Sequence, residues 1–150
     1  MPFGVSNNIR AVFGGAYYKV DYNAPFEVNG FSDFIQFATK GESSNFGLRV
    51  PTYGSASINS STRGIYAGGV QRYPGTTGGG SPLYDNQDAV TYMRKIEMAT
   101  LGEEEHFGEL SFTGSYCMGV SSPTRGCIGG SISSGSACLL YTSDAADEGL

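Results

Sequence analysis

The chain has 150 residues, nine Lys and Arg against 14 Asp and Glu, and one His, for a formal net charge of −5. That length suits one ordinary domain, the scattered cations form no basic stripe of the kind nucleic-acid binding needs, and a single histidine excludes a multi-histidine metal site. No apolar run approaches the roughly 20 residues of a membrane-spanning helix, and the opening MPFGVSNNIR has neither the charged nor the apolar region of a signal peptide.

Gly numbers 23, about twice the usual share, beside 10 Tyr, 9 Phe and no Trp. Aromatic and β-branched residues favour strands, and Gly supplies the turns between them. No long stretch carries apolar residues at helical spacing, so the expected class is all-β.

The first element, SNNIRAVFGG (residues 6–15), sets an order of Arg, strand-forming residues and glycines. The same order returns at SSTRGIYAGG (60–69) and SSPTRGCIGG (121–130). Arg10, Arg63 and Arg125 are 53 and 62 residues apart. The glycine pairs Gly14–Gly15, Gly68–Gly69 and Gly129–Gly130 are expected to end a strand where φ turns positive or where backbones approach closely. The arginines are expected to bond carbonyls or carboxylates at a turn. A ring of arginines binding an anion is the alternative.

Between these copies, IQFATKGESSNFG (35–47) and IEMATLGEEEHFG (96–108) coincide at Ile, Ala-Thr, Gly and Phe-Gly with a constant offset of 61. DFIQFAT (33–39) and AVTYMRKIEMA (89–99) read as strands. In the second, Val90, Tyr92, Ile96 and Met98 share one parity, which predicts one buried and one wetter face. KGESSNFG and LGEEEHFG read as hairpin connections, YGSASI (53–58) and YCMGV (116–120) as short strands. That makes about four strands per period, the content of a propeller blade.

The apolar-plus-GG element, found three times, resembles the kelch repeat. The STRG…GG, ATxG and FG elements are similar to kelch-like repeats of marine bacteriophage and bacterial proteins, over about residues 6–137. The resemblance implies antiparallel kelch-like β-propeller blades, about two or three from a larger propeller. Phe46 and Phe107 would take the packing role of the missing Trp. The units are expected at 16–69 and 70–130, with 1–15 ending a truncated blade and 131–137 starting the next. Residues 138–150 lack a counterpart. CLLYTSDAADE (138–148) matches a translated frame of a sequencing-library adapter, so this tail is expected to be non-native and the chain a fragment.

No catalytic set, cofactor motif or metal motif is expected. GTTGGGSP (75–82) lacks the Lys-Ser or Lys-Thr of a phosphate loop. YDNQD (84–88) lacks the Gly and distal Glu of a calcium loop. Glu103, Glu104 and Glu105 beside His106 read as a solvated acidic hairpin tip, with a cation site or acid–base pair as the alternative. Asn59-Ser60-Ser61 fits the N-glycosylation pattern. Cys117 and Cys127, ten residues apart, read as two small buried thiols, with a disulfide as the alternative. Gly69 to Ile96 spans 27 residues where Gly15 to Ile35 spans 20. This longer connection, 70–87, is the expected binding surface, with Tyr73, Tyr84, Asp85 and Asp88 as its candidate residues. The resulting expectation is a non-enzymatic structural or recognition module, virion-associated or at a cell surface, that binds proteins or glycans. Self-association would complete the propeller. The alternative is a fragment of a propeller enzyme, a glycan-active hydrolase or an oxidase.

Overall fold

Glycine-punctuated aromatic and β-branched segments have one regular way to pair their backbones, and every regular element among the described residues is a strand. A computed structural model describes residues 3–15, 17–18, 27–28, 30–39, 41–72, 87–123, 125–131 and 143–144. The fold is all-β and antiparallel.

The first unit runs through β1 (Phe3–Ser6), β2 (Arg10–Gly14), a small hairpin of β3 (Tyr17–Tyr18) and β4 (Glu27–Val28), then β5 (Phe31–Gln36) and β6 (Ser44–Leu48). Its main sheet has the order β1-β2-β5-β6. The second unit holds β7 (Thr52–Tyr53), β8 (Ala56–Asn59), β9 (Arg63–Ala67), β10 (Val70–Arg72), β11 (Gln87–Ala89), β12 (Tyr92–Glu97) and β13 (Glu105–Glu109). Its main sheet, β8-β9-β12-β13, repeats the first, and β11-β10-β7 forms a side sheet. In the third, β14 (Met118–Ser121) and β15 (Arg125–Gly129) repeat the opening hairpin, and β16 (Ser143–Asp144) pairs with β15. The rest of the tail lies outside the described residues.

The sheets open at Phe3, Ala56 and Met118, so they take a different phase of the period from units at 16–69 and 70–130. Residues 3–14 do not end a blade. They form the first hairpin of the first sheet, because Val5 pairs with Val12 and Val12 in turn with Phe34. SNFG and EHFG are likewise not connections; they lie in the fourth strands β6 and β13.

The repeated Ser/Asn…Arg order is a hairpin turn. Asn7 Oδ1 accepts from the Arg10 N–H (2.9 Å), Ser60 Oγ from the Arg63 N–H (3.2 Å) and Ser122 Oγ from the Arg125 N–H (3.1 Å). In return, the Asn7, Ser60 and Ser122 N–H groups donate to the carbonyls of the same arginines at 3.0, 2.9 and 2.7 Å. A short polar side chain that mimics a backbone acceptor is what this turn requires.

The glycines divide into two roles. Gly15, Gly68 and Gly130, each five residues after its Arg, have φ of 79°, 62° and 72°. By this register Gly14 and Gly129 align with Ala67, so one glycine of each pair carries the shared turn. Gly64 and Gly126, directly after Arg, serve packing instead. A Cβ on Gly64 would stand 2.5 Å from Val5 Cγ2, and one on Gly126 would collide with Ile58 Cδ1. Val5 and Ile58 are equivalent residues of β1 and β8. Each of the first two sheets thus rests an apolar side chain of its first strand on a bare backbone of the next.

Two cores result. Phe3, Val5, Val12 and Phe46 of the first sheet meet Tyr66, Ile96 and Met98 of the second. Ile58, Ile65, Ala67 and Met93 of the second meet Ile128 of the third. The middle sheet is therefore buried on both faces. This corrects the one-wet-face reading of residues 89–99: Ile96 and Met98 point one way, and Met93, 1% exposed, points the other. Phe46 and Phe107 are each the extra residue of a β-bulge, between the pairs Ser32–Gly47 and Asp33–Asn45 and between Met93–Gly108 and Arg94–His106. The bulge twists the outer strand and turns the ring toward the neighbouring sheet.

Gly64→Ala is expected to cost about 1–3 kcal/mol by overpacking against Val5, whereas Gly4→Ala, whose Cβ would meet only Val12 O at 4.0 Å, stays near neutral. In chemical denaturation, Val5→Ala combined with Gly64→Ala should cost less than the sum of the single changes.

Candidate functional site

The residues that sequence reading singled out do not converge on one place. Arg63 pairs with Glu97 across the sheet at 3.0 Å. Arg10 lies over the Phe34 ring, 5.3 Å from its centroid. Arg125 is exposed. The three share a turn through their backbones and differ in what their side chains meet. Asn59 donates its amide to Ser6 O at 2.6 Å, so its side chain is engaged between sheets. Cys117 and Cys127 are both free. Cys127 pairs in register with Val120, three residues beyond Cys117. Burial pushes the Cys117 thiol up, against a weaker effect of its hydrogen bond with Ser131.

Tyr73, Tyr84 and Asp85 lie outside the described residues. Asp88 belongs to β11 and pairs with Gln71. The long connection leaves from this β10–β11 stem, whose last register pair is Arg72 with Gln87. β7 flanks the stem through Val70–Tyr53 and Gln71–Thr52. The Tyr92 hydroxyl meets Gln71 Oε1 at 2.7 Å and joins the stem to the second main sheet.

A polar cluster that sequence reading missed sits between the first two sheets. It arises because the β12–β13 loop lies along the outer strand β6. Gly102 N–H donates to Phe46 O at 3.1 Å and Glu104 N–H to Leu48 O at 3.4 Å. Gly47 makes this approach possible, since a Cβ there would collide with the Gly102 carbonyl. The loop carries Glu104 inward while Glu103 and Glu105 stay exposed. The acidic tip is therefore not uniformly solvated: the Glu104 side chain is 5% exposed, and its Oε1 accepts from the Val50 N–H at 2.7 Å. Arg94 Nε lies 3.8 Å from the same oxygen, a loose ion pair.

Arg49, just past β6, is buried beside it. Its guanidinium stands 5.1 Å from the Phe3 ring centre and 5.5 Å from that of Tyr66, and those two rings stack at 4.6 Å. Its Nη2 donates to the Thr52 carbonyl. Arg49 Nε and Nη1, the Tyr66 hydroxyl and Glu104 Oε2 are buried with no hydrogen-bond partner among the described residues. Such groups are costly in a low-dielectric interior. Burial lowers the Arg49 pKa to about 10, and the nearby Glu104 carboxylate partly opposes that. Burial raises Glu104 to about 7, opposed by the Val50 N–H and by Arg49. A carboxyl that titrates near neutrality can hold or release a proton at ordinary pH. Glu104 also borders an open depression of about 370 Å³ lined by Lys95, Glu97, Glu103 and Glu105. Lys95 bridges that rim, 3.1 Å from Glu105 and 4.0 Å from Glu97. Among the described residues, no group of three or more His, Cys, Asp or Glu is placed to hold a metal ion.

Compared with protein-family models and with curated proteins, the chain matches none.

Glu104 binds its proton more tightly folded than unfolded. Its contribution to stability is therefore full below about pH 4.5 and is lost as pH rises through about 7. The loss should amount to roughly 3 kcal/mol. Glu104→Gln should flatten this stretch of the profile and leave the protein at least as stable as the parent at neutral pH, as read by thermal unfolding in a pH series.

Proposed function

We propose that this chain is a non-enzymatic recognition module of the kelch-like propeller kind, whose regular sheets carry a variable connection that binds protein or glycan. One observation supports it above others: the longer connection, residues 70–87, is mounted on its own β-stem. The Val70–Arg72 and Gln87–Ala89 strands pair with one another and with β7, and Tyr92 fastens them to the second sheet. Strand pairing at the base of a connection lowers the entropy cost of ordering it on binding. The repeated residues, by contrast, are taken up by turns, bulges and sheet packing, as repeated residues in repeat proteins usually are. Tyr73 and Tyr84 supply flat amphipathic faces of the type that engage sugars or a partner's apolar surface. A virion or cell surface is the setting that matches such a role. No helix among the described residues is long and apolar enough to cross a membrane.

The second reading, a glycan-active propeller enzyme, draws on Glu104. Its buried position near Arg49, with a pKa of about 7, is a property that catalytic acids share. Turnover of glycoside substrates that disappears in Glu104→Gln would favour this reading over the first.

The binding test replaces residues 73–86 with an Asn-Gly turn, which a two-residue hairpin between Arg72 and Gln87 accommodates. The parent should retain a subset of glycans or surface proteins on an array, and the shortened chain should lose them while keeping its melting temperature. Equal binding by both chains, or none by the parent, would overturn the proposal.

A further inference from the structure

The third sheet carries a face that the other two bury. Met118 and Val120 of β14 are 76% and 66% exposed. Their equivalents, 62 and then 53 residues earlier, are Ala56 and Ile58 of β8 and Phe3 and Val5 of β1. All four of those are at most 4% exposed. Cys127, half-buried, likewise matches Ile65 and Val12, which are buried. The first sheet has the converse deficit. Ile35 and Phe37 match Ile96 and Met98 at the offset of 61. Ile96 and Met98 are buried, whereas Phe37 is 47% exposed and Ile35 half-buried. Ala11 and Phe13 occupy the places of Gly64 and Tyr66, and of Gly126 and Ile128. One end of the chain thus presents the leading half of an interface that the chain builds twice internally, and the other end presents the trailing half.

We propose that a second copy of this chain docks head to tail, with its first sheet on the third sheet of the first copy. The internal junctions set the fit. Val5 rests on Gly64 and Ile58 on Gly126, so Val120 rests on Ala11 of the second copy. Val is one carbon shorter than Ile and Ala one carbon larger than Gly, so this pairing conserves the volume of the Ile58–Gly126 contact. Phe3 stacks on Tyr66 at the first junction. The equivalent pair between copies is Met118 on Phe13, a sulfur–aromatic contact. Exposed apolar side chains in this number on one sheet face mark an interaction surface. The contact is heterologous, joining two different patches, and it closes when the second copy's third sheet meets the first copy's first sheet. Two copies bring six such sheets together, within the four to eight that close a propeller.

Sedimentation equilibrium of the full chain tests this with two variants at exposed positions, Val120→Asp and Phe37→Asp, whose folding is checked by circular dichroism. The parent should show twice the chain mass. Each variant alone should fall to the monomer mass, a twofold loss. An equimolar mixture should recover a one-to-one complex, because one intact junction remains between an unaltered leading face and an unaltered trailing face. A monomeric parent overturns the proposal and points to further repeats of a longer chain as the occupant. So does a like-with-like dimer, in which only Val120→Asp dissociates the parent and mixing restores nothing.

Discussion

The contact on which the structure depends is an apolar side chain set against a glycine backbone. Val5 meets Gly64 and Ile58 meets Gly126. With no Cβ on the receiving strand, the two sheets approach until a first strand lies against both the first and the second strand of its neighbour. Hydrogen bonds then cross between the sheets, from Ser57 Oγ to Gly4 O at 2.8 Å and from Asn59 Nδ2 to Ser6 O at 2.6 Å. Among the described residues, both cores lie between sheets. Each sheet therefore needs a neighbour to bury its apolar face, which is the thermodynamic logic of a repeat array.

The same close approach explains the buried polar cluster. When the β12–β13 loop comes down on β6 through Gly47 and Gly102, it carries Glu104 in with it. Arg49 lies nearby, against the stacked pair of Phe3 and Tyr66. A charge in such a place is weak support for stability, because desolvation offsets most of the Coulombic gain. Its consequence is a carboxyl that titrates near neutral pH. The corresponding loop of the first unit, GESSN, has no run of glutamates.

Strain at the strand entries follows the repeat as well. Gly54 and Tyr116 stand 62 residues apart and both take positive φ, 69° and 57°. A left-handed tyrosine costs about 1–2 kcal/mol relative to glycine. Here the Tyr116 ring packs edge-on to Tyr53, with centroids 6.2 Å apart, and its N–H donates to Gly54 O at 2.7 Å. The backbone geometry of the repeat persists where the residue type that favours it has changed.

Much of the architecture could be read from the chain by itself. The Arg and Phe-Gly spacings carry the period, glycine and aromatic content the class, and Gly15, Gly68 and Gly130, just past β2, β9 and β15, take positive φ. These features are legible because turns, bulges and strand preference are local, set by the few residues that adopt them. Three things were decided only in three dimensions. The phase of the sheets follows from which hairpin pairs first, and the two-sided burial of the middle sheet from having neighbours on both sides. Glu104 separates from Glu103 and Glu105 because one loop meets the outer strand β6, with Glu104 N–H donating to Leu48 O. Strand pleat alternates side chains between faces, yet it does not say which faces meet another sheet, and burial and pKa depend on that meeting.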